Sequence, residues 1–101
     1  MLNRDEYVEK LKSQIDQWNA EAKKWEEKAR QATAGVQADY AKQLAQYRAR
    51  RDAALEEVRR LQNASADAWK EMMRGAETAM KSMREAFDRA RGSFERKSDK
   101  Q

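Results

Sequence analysis

The sequence predicts an all-α protein, and three observations carry that expectation. Apolar residues recur in alternating steps of three and four along most of the 101 residues, the spacing that gathers them on one face of a helix. Proline is absent and there are only three glycines, so nothing punctuates the chain into the short elements of a sheet protein. Charged residues make up 40% of the chain, with the two signs interleaved, as on a solvated helix surface.

The first element begins near residue 4. Val8, Leu11, Ile15, Trp18, Ala22, Trp25, Ala29, Ala32 and Val36 keep the three-four rhythm, which makes this face a seam for partner helices. Val36, Tyr40 and Leu44 then follow at two successive steps of four before Tyr47 restores a three. Such a stutter unwinds a supercoil locally without ending the helix. The seam next meets Arg51, whose methylenes can lie along the groove while the guanidinium reaches water. It continues through Leu55, Val58 and Leu61.

Residues 62–66 form the expected turn. Asn63 tolerates the left-handed conformation that ends a helix, Ser65 can cap the next one, and Asp67 falls in its first turn. A connection this short makes the flanking helices antiparallel neighbours. The last helix, residues 66–94, carries Trp69, Met73, Ala76, Met80, Met83, Phe87, Ala90 and Phe94 in an unbroken four-three series. Gly92 marks fraying near Arg91, and residues 95–101 read as a polar tail. Residues 1–94 are thus expected to form one helical coiled-coil domain.

Two architectures depend on Thr33-Ala34-Gly35, where a β-branched residue and a glycine weaken the helix. If the chain turns there, three segments of about 30 residues, each roughly 45 Å long, close as a monomeric three-helix bundle. If it stays helical, residues 4–62 form a rod of about 90 Å and the last helix covers only its second half. The rod is favoured, because a stutter is a within-helix device and the linker lacks the Pro, Asn or Asp of a tight turn. Alone, however, it would leave Leu11, Ile15, Trp18 and Trp25 in water, where burial of each is worth about 1.5–3 kcal/mol. The expectation is therefore a homodimer in which residues 4–33 complete the partner's hairpin through a swap hinged at Gly35. On this reading Gly35→Ala tightens the dimer by favouring the continuous helix.

The chemistry is bounded by what is missing. Without Cys there are no disulfides, thiolate nucleophiles or Cys-ligated metals, and without His the commonest general base and transition-metal ligand are gone. Glu26-Glu27, Glu56-Glu57, Asp16 and Asp39 could suggest a carboxylate metal site, but helical two-metal sites rely on Glu-x-x-His. No catalytic residue, cofactor or metal is expected. Trp18, Trp25 and Trp69 could form an aromatic platform, and Met72, Met73, Met80 and Met83 an adaptable partner surface. Six of these seven lie on the seam, where core filling explains them. The functional residues are thus the seam itself: Leu11, Ile15, Trp18, Trp25, Val36, Tyr40, Leu44, Leu55, Val58, Leu61, Trp69, Met73, Met80, Met83 and Phe87.

The net charge of +4 comes from 22 basic and 18 acidic residues. Glu6/Lys10, Glu26/Arg30, Glu56/Arg60, Glu77/Lys81 and Glu85/Arg89 stand at the favourable i,i+4 spacing. Basic residues opposed in this way do not make the open cationic track of a specific nucleic-acid binder. The competing reading is an amphipathic last helix lying on an anionic membrane surface. Against it, Glu71, Glu77, Glu85 and Asp88 dilute the positive face, and the period of 3.5 suits a helical partner. No apolar stretch is long enough for a signal peptide or membrane span, so a cytoplasmic protein is expected.

Arg4-Asp5-Glu6-Tyr7-Val8 with Leu11, Asp16-Gln17-Trp18-Asn19-Ala20-Glu21, Tyr40-Ala41-Lys42-Gln43-Leu44, and Ala64-Ser65-Ala66-Asp67-Ala68-Trp69 leading to Gly75-Ala76-Glu77 resemble a family of small bacterial coiled-coil proteins linked to stress responses. The resemblance spans nearly the whole chain. It implies a cytoplasmic helical protein linked to stress, with no defined reaction.

Overall fold

A computed structural model describes residues 3–99, with side chains through residue 95. Three helices follow in order: α1 (Arg4–Gln31), α2 (Ala34–Asn63) and α3 (Ala68–Asp99), with no strand among the described residues. They run up, down and up as a rod-shaped bundle of 52 × 18 × 16 Å.

Asn3 starts α1. Its side chain accepts a hydrogen bond from the Glu6 amide at 2.8 Å and donates to the Glu6 carboxylate at 3.2 Å, while Asp5 and Glu6 complement the dipole of the first turn. The helix ends at Gln31, and here the expected continuous rod is corrected. Ala32 (φ −83°, ψ 160°) and Thr33 (φ −65°, ψ 161°) are extended, and α1 folds back on the following helix. The Ala32 amide reaches Ala29 O at 3.3 Å, Gln37 Nε2 donates to the same carbonyl at 3.0 Å, and the Gln37 amide bonds Thr33 O at 2.7 Å. The physical reason is coverage: the turn lets a single chain bury Leu11, Ile15 and Trp25, which a lone rod would expose. Gly35 is not the hinge. It lies inside the first turn of α2.

The second turn is also displaced from the expected residues 62–66. Asn63 remains helical, Ala64 leaves α2 in an extended conformation, and no non-glycine residue described has a positive φ. The left-handed end assigned to Asn63 is therefore absent. Ser65 performs its expected role, accepting from the Ala68 amide at 3.2 Å through Oγ and from the Trp69 amide at 3.2 Å through its carbonyl. Arg4 reaches across from α1 and donates to Ala64 O, placing positive charge where the end of α2 is negative.

α3 does not fray at Arg91. It continues to Asp99, Ser93 and Phe94 are buried, and Arg91 pairs with Glu95 at 3.2 Å. The expected tail is thus helical through Asp99, with residues 100–101 outside the described ones. The backbones of α2 and α3 approach most closely, whereas α1 and α3 stand further apart. Composition explains the difference. Buried Ala54, Ala76, Ala86 and Ala90 allow α2 and α3 to come together, while large rings span the gap between α1 and α3.

Candidate functional site

The only residues the sequence singles out for function are those of the seam, and the structure brings most of them together. Leu11, Ile15, Trp25, Tyr40, Leu44, Val58, Leu61, Met80, Met83 and Phe87 are buried in one core, and Trp18, Val36, Trp69 and Met73 are half-buried against it. Leu55 is the exception. It is 41% exposed, and its neighbour Ala54 takes the buried place. The phase of α2 decides this: Tyr47, Arg51, Ala54, Val58 and Leu61 continue the four-three rhythm, which leaves Leu55 on the flank.

Aromatic rings knit the three helices. Trp25 of α1 lies 6.1 Å from Tyr47 of α2, and 4.9 and 5.3 Å from Phe87 and Phe94 of α3, between ring centroids. Trp18 stacks on Phe87 at 5.8 Å, and Tyr40 stacks on Phe94 at 3.9 Å. Near the first end of the bundle Tyr7 and Trp69 meet at 6.2 Å. Tyr7, Ala54, Ala86 and Ser93 are buried without having been picked out from the pattern. For Ala86 and Ser93 a signal existed: Met72, Ala79, Ala86 and Ser93 recur every seven residues beside the main stripe, as in a helix that must face two neighbours.

One polar layer interrupts this core. The Tyr47 hydroxyl donates to Asn19 Oδ1 at 2.7 Å. Burial pushes the Tyr47 phenol up to about 12, with nearby Arg51 acting in the opposite direction. Tyr7 is also raised, first by burial and then by the Glu77 carboxylate 3.5 Å away. Beside this layer, a solvent-open groove of about 430 Å³ between α1 and α2 is lined by Asp16, Asn19, Lys23, Glu26 and Arg51. A shallower cleft of about 340 Å³ lies at the bundle end between Asn3, Arg4, Asp5, Ala66 and Trp69.

Four of the carboxylates considered as metal ligands, Glu26, Glu27, Glu56 and Glu57, are engaged with arginines. Glu26 pairs with Arg48 on α2 at 2.6 Å and Glu27 with Arg30 at 2.7 Å, so the Glu26/Arg30 pair expected from spacing is replaced. Glu56 holds Arg59 at 2.7 Å and Arg60 at 3.8 Å, and Glu57 reaches Arg60 at 3.5 Å. The Arg59 hydrogen bond holds the Glu56 carboxyl below its ordinary value. Among the described residues no group of three or more acidic side chains could hold a metal ion, and no helix is long and apolar enough to cross a membrane. Compared with family models, curated proteins and solved structures, the chain matches none.

Proposed function

We propose that this protein is a non-enzymatic helical interaction module that works through helix–helix association, in the cytoplasm and in connection with stress, as the family resemblance of its helical stretches implies. The observation that supports this most is the investment of nearly every large apolar side chain in the faces between helices, with Trp25 at their junction. Faces of this kind recognise other helices by shape and heptad phase; in the closed bundle they are engaged with one another, so a partner helix acts by displacing one of the three. The basic α3 is a poor membrane ligand while the bundle stays closed, because Met80, Met83, Phe87 and Phe94 are turned into the core; lipid would have to open the bundle to reach them.

Chemical crosslinking in cells, before and after salt, acid or oxidative stress, tests the reading together with circular dichroism in vitro. The expected outcome is a defined set of crosslinked protein complexes, and helicity that is high in buffer and unchanged by anionic vesicles. Helicity that rises with vesicles would replace helix partners with lipid, and turnover of a small substrate would overturn the non-enzymatic reading.

A further inference from the structure

The two connections of the bundle are built differently. Between α2 and α3, Ser65 caps the incoming helix and Arg4 grips the outgoing carbonyl of Ala64. Between α1 and α2 there are two residues, Ala32 and Thr33; Thr33 stands at the N-cap of α2 but makes no side-chain cap bond, and the first turn of α2 holds no acidic residue. One side chain, Gln37 on Ala29 O, braces this turn. A short hinge connection is a place where a chain can exchange an identical element with a second copy, and here the element is the 28 residues of α1.

We infer that α1 is an exchangeable arm and that its partner is a second copy of this chain, with Ala32 and Thr33 as the hinge. This rests on the reading of the protein as a helix-association module and names the partner. In the exchanged form residues 32 and 33 turn helical, α1 and α2 join into one helix, and α1 packs on the other chain's α2 and α3. The α2–α3 hairpin stays intact because its backbones are the most closely packed. The contacts α1 makes in the closed bundle are rebuilt between chains: Asn19 with Tyr47, Glu26 with Arg48, Arg4 with Ala64, and Trp25 with Phe87 and Phe94. The hinge residues gain helical hydrogen bonds, and this gain stands against the entropy of association. The balance is therefore set by concentration and by the conformational preference of two residues.

That preference can be tuned in both directions. Proline at position 33 matches the closed turn, since φ is −65° there and the preceding Ala32 is already extended. Within a continuous helix it removes a hydrogen bond and clashes with the preceding turn; over two hinges this weakens the exchanged dimer by about 10⁴-fold. Ala34→Pro is an independent second lock, because Ala34 is the first residue of α2, a position proline favours. Thr33→Ala exchanges a poor helix former for the best one in both chains and tightens the dimer by about tenfold. Gly35→Ala is the control. No atom lies within 4 Å of an added Cβ and Gly35 is helical in the closed bundle, so alanine stabilises both forms and leaves their ratio unchanged.

The test is sedimentation equilibrium on full-length proteins refolded from denaturant at concentrations from micromolar to millimolar, with circular dichroism to verify folding. The expected result is a wild-type mass rising from 11.8 kDa towards twice that value, a stronger rise in Thr33→Ala, an unchanged one in Gly35→Ala, and none in the two proline variants. Nuclear Overhauser contacts between differently labelled chains should join Trp25 to Phe94. A mass of 11.8 kDa for wild type and Thr33→Ala at every concentration overturns the exchange, as does a dimer that either folded proline variant forms equally well. Both failures leave the crosslinking of other proteins to decide the broader reading separately.

Discussion

Ala54 and Leu55 are chain neighbours with opposite places in the fold, the first fully buried and the second 41% exposed. Size favours Leu55 for the core, but position is set by the phase that Tyr47, Val58 and Leu61 impose on α2. Ala54→Leu should therefore destabilise by about 1–3 kcal/mol through overpacking, and Leu55→Lys should change stability by less than about 0.5 kcal/mol. Urea unfolding measures both, and the reverse order would show that α2 is rotated. Tyr47 makes a pH-dependent contribution. Its folded value of about 12 lies above the ordinary 10, so the fold stabilises the neutral phenol. That stability is complete below pH 10 and is lost as the pH rises through about 12. Wild type should lose helicity across this window together with the rise in phenolate absorbance. Tyr47→Phe should show a shallower alkaline loss, at a cost near neutral pH of about 0.5–1.5 kcal/mol for the hydrogen bond to Asn19.

At the scale of elements, the core face of α3 was legible because its four-three series has no error and a serine caps its start, whereas its continuation to Asp99 was not. Neither was the end of α1. Ala32 and Thr33 form the turn without proline, asparagine, aspartate or a left-handed residue, and such an extended two-residue link has no strong signature of its own. The stutter at Val36, Tyr40 and Leu44 misled for a related reason: the same phase slip arises when a seam restarts on a new helix as when one helix unwinds locally. Gly35 attracted the hinge because it is a poor helix former, yet glycine in a first turn costs only its modest propensity. The Asn19–Tyr47 bond and the Glu26–Arg48 pair were invisible for another reason, since they depend on which flanks of two helices face each other. The two connections also separate by experiment. Ser65→Ala should cost about 1 kcal/mol by removing a cap that is made, while Thr33→Ala, measured at dilutions where the chain is monomeric, should be nearly neutral because its hydroxyl caps nothing. Thermal melts compare the two, and equal losses would mean that Thr33 supports the turn in some other way.

For the whole molecule the question is whether a rod 52 Å long and 18 Å wide unfolds as a unit or zips open from its ends. Helices of this length have much local structure, and the ends share few contacts with each other. Against that, Trp25 touches rings on both other helices, and Phe87 and Phe94 carry the contact on to Trp18 and Tyr40. A helix that leaves this junction strips partners from the other two, which is the physical basis of all-or-none behaviour in a small domain. Trp25→Ala should accordingly cost about 3–5 kcal/mol, and at roughly 4 °C or more per kcal/mol for a domain of this size the melting midpoint should fall by at least about 12 °C. The decisive readout lies away from the mutation. With Trp18→Phe added so that Trp69 is the one tryptophan left, its fluorescence at the first end of the bundle beside Tyr7 should report the same lowered midpoint as the far-ultraviolet circular dichroism. If Trp69 instead melts at its wild-type temperature while helicity is lost in two steps, then α1 and the α2–α3 hairpin unfold as separate units and the ring junction does not couple them.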